Sequence, residues 1–300
     1  MSTAPVDLPE SVTLAEGEGG LPVLRVATAV ATGEVYLHGA HVTAWTPAGA
    51  DPVLWVSGSA RFVPGEAIRG GVPICFPWFG AGREPGLAPP PHGFARLAPW
   101  RLVAAADDDG VVTLTLELTD ADVTDVPAAA AWPHAFTATY AVTFGRELTL
   151  ALTVENTGDA EISYEEALHT YLAVADARTT TVQGLDGATY LDKAPGGGPD
   201  LVTQRGDVTF TGETDRVYDS EGTAVVVDEP GGRRIGIEKE GSAHTVVWNP
   251  WVDKAAAMPD YGDDEWAQMV CVETANALDA AVTLAPGERH TMSASYTVTR

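Results

Sequence analysis

A period of two runs through this chain. Val111 to Leu118 reads V-V-T-L-T-L-E-L, and Ala135 to Phe144 and Glu147 to Glu155 alternate in the same way. Successive side chains of an extended strand point to opposite faces, so strict alternation specifies sheets with one buried face. The last two runs flank Gly145-Arg146, a short turn, and read as a hairpin. Further strand candidates are Val23 to Val30, Thr223 to Asp228, Arg234 to Lys239, His244 to Trp248, Met269 to Val272 and His290 to Thr299. Thr, Val and aromatic residues fill them, as half-buried strands favour. No segment carries a long amphipathic helical pattern. Short helical turns are expected near Asp253 to Met258 and Gly262 to Trp266. The class is therefore all-β, with enough strands for a large β-sandwich.

At 300 residues and 45% hydrophobic content the chain can bury a large core. The pattern is punctuated by 31 glycines and 21 prolines, with no repeat of fixed period and no shift in composition. Residues 1–300 are accordingly read as a single domain. Met1 to Gly20 is acidic and weakly patterned, and its first few residues are expected to be loosely ordered. Pro127 to Ala131 and Pro195 to Pro199 read as surface loops, and Asp107-Asp108-Asp109-Gly110 as a hairpin turn.

Charge narrows the partners. Forty-two acidic against 17 basic residues give a net charge of −25, and the pI is about 4.4. Such a field repels nucleic acid and anionic membranes, so neither is expected as a partner. No run of apolar residues is long enough for a membrane-spanning helix. Met1 to Glu10 lacks the basic and apolar regions of a signal peptide, so a cytoplasmic location is expected. The cysteines, Cys75 and Cys271, each lie in an apolar run and read as reduced core thiols. Two cysteines cannot build a disulfide framework or a four-cysteine zinc site, and no metal is expected.

Four segments depart from the strand grammar. Ile68 to Gly80, I-R-G-G-V-P-I-C-F-P-W-F-G, packs glycines, prolines and aromatics around Arg69. Pro91 to Arg96 reads P-H-G-F-A-R, with His92 and Arg96. Glycines let backbone approach a ligand, and a neighbouring guanidinium offers a planar fork to an oxyanion. The competing reading is that each arginine pairs with a structural carboxylate. Third is Glu165 to Leu172, which carries His169; fourth is Met269 to Asn276, M-V-C-V-E-T-A-N, which carries Glu273. A carboxylate at the end of a buried strand is either paired or functional, because burying it alone is costly. Trp248-Asn249-Pro250-Trp251 sets two indoles and an amide together, suited to sugar faces and hydroxyls or to core packing. The remaining histidines His38, His41, His134, His244 and His290 read as core or rim residues.

With these segments quoted, the chain resembles the glucose-6-phosphate 1-epimerases (D-hexose-6-phosphate mutarotases), a branch of the aldose 1-epimerase superfamily. The resemblance rests on R-G-G-V-P-I-C-F-P-W-F-G from Arg69, H-G-F-A-R from His92, L-H-T-Y-L from Leu168, Asp215-Arg216-Val217-Tyr218, Val247 to Trp251, and M-V-C-V-E-T-A-N from Met269. They occur in the family's order from about residue 20 to the C-terminus. The resemblance implies a galactose-mutarotase-like β-sandwich, or supersandwich, and cofactor-free interconversion of α and β anomers of hexose 6-phosphates. It implies His169 and Glu273 as the catalytic pair and Arg69, Arg96 and Asp215 as substrate-binding residues. His92 and Trp248 are added as substrate-binding candidates. Pro91 departs from the family's usual glutamine, which removes a side-chain donor.

Anomerisation needs a base at the C1 hydroxyl and an acid at the ring oxygen. Glu273 suits the first role and His169, as imidazolium, the second. A neighbouring carboxylate, Glu165 or Glu166, would favour the imidazolium, and the cation would favour ionised Glu273. The implied partner is a small-molecule sugar phosphate, and a monomer is expected. A non-catalytic carbohydrate-binding protein and a mutarotase of unphosphorylated aldoses stand as alternatives.

Overall fold

The computed structural model describes residues 6–82 and 90–300. It is nearly all β, and Trp251–Ala257 is the single α-helix among the described residues. A nine-stranded antiparallel sheet runs in the order Val208–Thr209, Thr181–Gln183, Ala224–Asp228, Arg233–Glu240, Arg289–Thr299, Leu148–Asn156, Phe136–Phe144, Val111–Thr119 and Arg101–Asp108. Its alternation is the one in the sequence: Val112, Leu114, Leu116 and Leu118 are all fully buried. The expected hairpin turns at Gly145, whose N–H donates to the Glu147 carbonyl at 2.9 Å. Asp109 and Gly110 take left-handed φ of +52° and +86°, the two-residue turn that matches strand twist.

The second large sheet holds the site. It runs Leu201–Thr203, Thr189–Asp192, Thr214–Asp219, His244–Asn249, Met269–Asn276, Glu166–Leu168 and Ile74–Cys75, with Tyr171–Ala173 also pairing with Met269–Asn276. Every residue of Met269–Asn276 is buried. Val270 and Val272 enter the core shared with Met292 and Tyr296 of the larger sheet. Met269 and Cys271 pack on the opposite face with Trp55, Tyr171, Trp248 and Tyr261. A strand covered on both faces reads as a continuous apolar run, so the carboxylate of Glu273 is conspicuous within it.

Two smaller sheets complete the framework. Val12–Glu16, Pro22–Ala27, Ala31–Tyr36 and His41–Pro47 pair in chain order, and Ile162–Tyr164 pairs with Val282–Leu284. The weakly patterned N-terminal stretch thus contributes a strand, while residues 1–5 lie outside the described residues. The run expected from Val23 to Val30 ends at Ala27, because the Thr28 hydroxyl accepts the N–H groups of Val30 and Ala31 and forms a turn. Pro127–Ala131, expected as loop, forms a short 3-10 helix started by its proline. Among the described residues no helix is long and apolar enough to cross a membrane.

Phe76 is a keystone of the core beneath the site. It is fully buried, with ring centroids of Trp132, Phe136 and Tyr164 at 5.4, 5.3 and 5.3 Å. Phe76→Ala is expected to cost about 3–5 kcal/mol in urea unfolding, the range for deleting a large buried aromatic. A cost below about 1 kcal/mol would contradict this packing.

Candidate active site

Strand register assembles the site. Met269–Asn276 pairs with residues on both sides of a short break: Leu168 opposes Thr274, and Tyr171 opposes Cys271. Continued across that break, the register sets His169 opposite Glu273. Directly opposed residues share a face, so the imidazole and carboxylate meet. The ladder loosens there, since the His169 N–H donates to the Pro73 carbonyl instead. A second row crosses the same face: Tyr171 opposes Cys271, Cys271 opposes Trp248, and Trp248 opposes Asp215.

His169 Nε2 stands 3.4 Å from Glu273 Oε1, and their side chains are only 9% and 1% exposed. The imidazole stacks on Tyr171, centroids 4.8 Å apart and planes 11° from parallel, and meets the edges of Trp248 and His92. His169 Nδ1 and Glu273 Oε2 are buried and without hydrogen-bond partners among the described residues. Each such atom costs about 1–3 kcal/mol of folding free energy. The two lie on one face, where a polar ligand would satisfy them.

The electrostatics correct one expectation. Burial, followed by the charges of Arg96 and Arg69, drives the His169 pKa well below the ordinary imidazole value. Burial, followed by Asp215, drives Glu273 well above the ordinary carboxylate value. Neither Glu165 nor Glu166 acts as the expected neighbour of His169. The Glu165 carboxylate accepts the N–H groups of Phe79 and Leu278. Glu166 lies on the opposite strand face and meets Asn276 and His290. The ligand-free pair therefore favours neutral imidazole and protonated carboxyl.

Two glycine-containing segments bring up the other candidates. Arg69 reaches the face but is already engaged: Nε and Nη2 donate to Asp260 at 3.2 and 3.3 Å, and Nη1 donates to the Tyr171 hydroxyl at 3.0 Å. The structural-carboxylate reading thus describes part of its role, and through Tyr171 it orients the ring stacked on His169. Arg96 has no ion pair among the described residues; Nη2 donates to the Pro91 carbonyl at 2.7 Å, and Nε is buried without a partner. The residue that lacks a side-chain donor thereby orients a guanidinium through its backbone. His92 Nδ1 accepts from the Gly80 N–H at 3.3 Å, with Cys75 Sγ also at 3.3 Å, which leaves the ring proton on Nε2.

Asp215 sits at the far end of the Trp248 row, its pKa raised by burial and held back by Lys193. Lys193 was not singled out by sequence reasoning, yet its Nζ is 4.0 Å from Asp215 Oδ1 and 4.8 Å from the Phe79 ring centroid. Trp248 faces His169, whereas Trp251 turns away onto Trp266 at 4.3 Å. Asn249 is structural: its amide donates to the carbonyls of Trp266 and Met269. The donor atoms of His169, Cys271 and Glu273 lie within 4.8 Å of one another. Burial holds Cys271 well above the usual thiol value, so its sulfur is a neutral thiol in the ligand-free protein.

Residues 24–297 match the aldose 1-epimerase family. An Escherichia coli K12 protein named "Putative glucose-6-phosphate 1-epimerase" is 40% identical over 242 residues, covering 80% of this chain and 78% of its own. The chain belongs to the aldose 1-epimerase family. A crystal structure of a "putative mutarotase" from Salmonella typhimurium is similar to this epimerase with a TM-score of 0.88 and 32% identity, covering 99% of this chain and 97% of its own. A galactose mutarotase-like protein from Clostridium acetobutylicum shares the fold at a TM-score of 0.75 and 12% identity, over 96% of this chain and 98% of that one. The fold is thus the galactose-mutarotase-like β-sandwich that the resemblance implies.

Gly93 holds the His92–Arg96 segment against the core. Its φ is +74°, and an added Cβ would stand 2.0 Å from the Phe76 carbonyl oxygen. Gly93→Ala is expected to lower stability by at least about 1–2 kcal/mol, the left-handed penalty before any clash. Gly212→Ala, where an added Cβ meets nothing within 4 Å, is the control. Equal thermal unfolding midpoints for the two variants would refute the role given to Gly93.

Proposed function

We propose that this aldose 1-epimerase family member interconverts the α and β anomers of hexose 6-phosphates, with glucose 6-phosphate the foremost candidate. One observation carries the reading: a buried imidazole and carboxyl, 3.4 Å apart, sit beside a cluster of cations in a chain of net charge −25. Proton transfer at two points of one hemiacetal needs the first feature. Binding an anionic sugar against the global field needs the second.

The chemistry conserves protons. Glu273 as carboxylate takes the proton of the C1 hydroxyl while the C1–O5 bond breaks, and O5 takes the proton of the His169 imidazolium. The C1 aldehyde then rotates about C1–C2. Attack by O5 on the opposite carbonyl face, with both proton transfers reversed, gives the other anomer. Each group contributes about 10²–10⁴-fold as a general acid or base.

The pair holds one mobile proton, and its two placements differ only in which partner carries it. Arg96 and Arg69 disfavour the imidazolium in the ligand-free protein. A phosphate dianion placed against those guanidinium groups offsets their charge and favours the working placement, protonated His169 beside ionised Glu273. Arg69 and Arg96 are the phosphate-binding candidates, with charge-assisted bonds stronger than neutral ones. Asp215 is positioned to accept sugar hydroxyls; His92 and Trp248 line the pyranose. The engagement of Arg69 by Asp260 favours one second reading, a mutarotase of unphosphorylated aldoses. Arg96→Glu separates the two, because an unchanged rate on glucose 6-phosphate would leave only the second.

Optical rotation of freshly dissolved α-glucose 6-phosphate tests the base. Glu273→Gln is expected to slow enzymatic anomerisation about 10²–10⁴-fold, and a rate equal to wild type would remove Glu273 from the mechanism. The pH profile follows from the shift directions. Acid loss requires a second proton on the pair, and the lowered His169 puts that limb below the ordinary imidazole range. Alkaline loss requires removal of the shared proton, and the raised Glu273 puts that limb above the ordinary carboxylate range. kcat/KM is thus expected to hold a broad plateau across neutrality; a narrow optimum at carboxylate pH would contradict one-proton sharing.

A further inference from the structure

The row that carries Tyr171, Cys271, Trp248 and Asp215 has one more member. Asp192 opposes Arg216, and one step further the Lys193 N–H donates to the Asp215 carbonyl at 2.7 Å. Lys193 thereby extends the row beyond the end of its own strand. Its ammonium lies over the Phe79 ring, 4.8 Å from the centroid, and Phe79 is fixed by its N–H bond to Glu165. The side chain is 31% exposed, so a ligand can reach it. Asp215 Oδ1, at 4.0 Å, is too far for a hydrogen bond.

The other cations of this face have committed their donors differently. Arg69 is closed on Asp260 and Tyr171, and Lys254 on Glu213 at 2.7 Å. Arg96 gives Nη2 to the Pro91 carbonyl and keeps a buried, unpartnered Nε. The Lys193 ammonium makes no hydrogen bond among the described residues, so all three of its N–H donors are uncommitted. Its charge also acts on His92, His169 and Glu273. Three strand spacings, about 14 Å of backbone, separate Lys193 from Cys271, and Glu273 lies two residues further along that strand.

We propose that Lys193 is a specificity-determining residue whose ammonium binds the substrate's phosphate and selects phosphorylated over free aldoses. The inference rests on the hexose-phosphate reading above and adds to it a cation outside both glycine-containing segments. No covalent step is involved; the ammonium donates hydrogen bonds to phosphate oxygens while the C1 hemiacetal meets His169 and Glu273.

The test compares wild type, Lys193→Met and Lys193→Arg on glucose 6-phosphate and on glucose, with calorimetric titration of inorganic phosphate alongside. Lys193→Met is expected to raise KM for glucose 6-phosphate about tenfold to a hundredfold, the worth of one charge-assisted bond. The loss in kcat/KM should be at least about tenfold larger on glucose 6-phosphate than on glucose, phosphate affinity should fall in parallel, and Lys193→Arg should recover most of both. An unchanged KM, or equal losses on the two sugars, overturns the assignment. A wild type that anomerises no hexose 6-phosphate overturns the functional reading instead. Phosphate titration then decides Lys193 alone, and equal affinity in wild type and Lys193→Met, or none in either, overturns it.

Discussion

The antiparallel register of Met269–Asn276 is the constraint on which the site depends. Side chains alternate with a period of two, so a slip of one residue would send Glu273 into the core shared with the larger sheet and bring Val272 to face the substrate. What prevents the slip is packing on both faces. Val270 and Val272 fill the inter-sheet core, and Met269 and Cys271 fill the aromatic cluster of Trp55, Tyr171, Trp248 and Tyr261. Each is fully buried. The same packing that fixes the sheet therefore fixes the 3.4 Å separation of the pair.

Holding that pair dry sets its chemistry. A carboxyl and an imidazole in water would not share a proton as a unit, because each would be solvated independently. Removed from water, both resist charge, and one proton placed between them is the low-cost state. The unpartnered Nδ1 and Oε2 atoms lower stability in the ligand-free chain, as strained or unsatisfied groups at functional sites commonly do. Arg69 adds a positioning role through its bond to Tyr171, which fixes the plane against which His169 stacks.

Local patterns were legible in the sequence and distant partnerships were not. Val111–Thr119 and the Gly145 hairpin follow from alternation and turn chemistry within a few residues. His169 and Glu273 lie in weak local contexts, and only the family resemblance linked them. Which residue opposes which is decided by sheet pairing over a hundred residues of chain. Asp260 lies 191 residues from Arg69, so its bond to that guanidinium has no local signal. Alternation puts only one of Glu165 and Glu166 on the His169 face, but the carboxylate of Glu165 accepts the N–H groups of Phe79 and Leu278, two segments distant in sequence, and Glu166 lies on the opposite strand face. Lys193 lies just before the Pro195 to Pro199 stretch that reads as loop and carries no local signal, because its place depends on the pairing of Thr189–Asp192 with Thr214–Asp219.

The charge distribution gives these placements a common logic. With 17 basic residues in 300, most of the surface carries negative potential. The charges of Arg69, Arg96 and Lys193 all act on His92, and Asp260 balances the first of them. A small positive region inside a large negative field is poorly suited to nucleic acid, whose many phosphates would meet repulsion beyond the pocket. The hexose phosphate of the proposed function would need only this region. Its affinity is then set over distances comparable with the screening length of about 8–10 Å, where the local cations outweigh the remote acidic surface. Under the proposed function, the acidity of the chain and the local group of cations would act together, the first disfavouring large polyanions and the second favouring a compact anion.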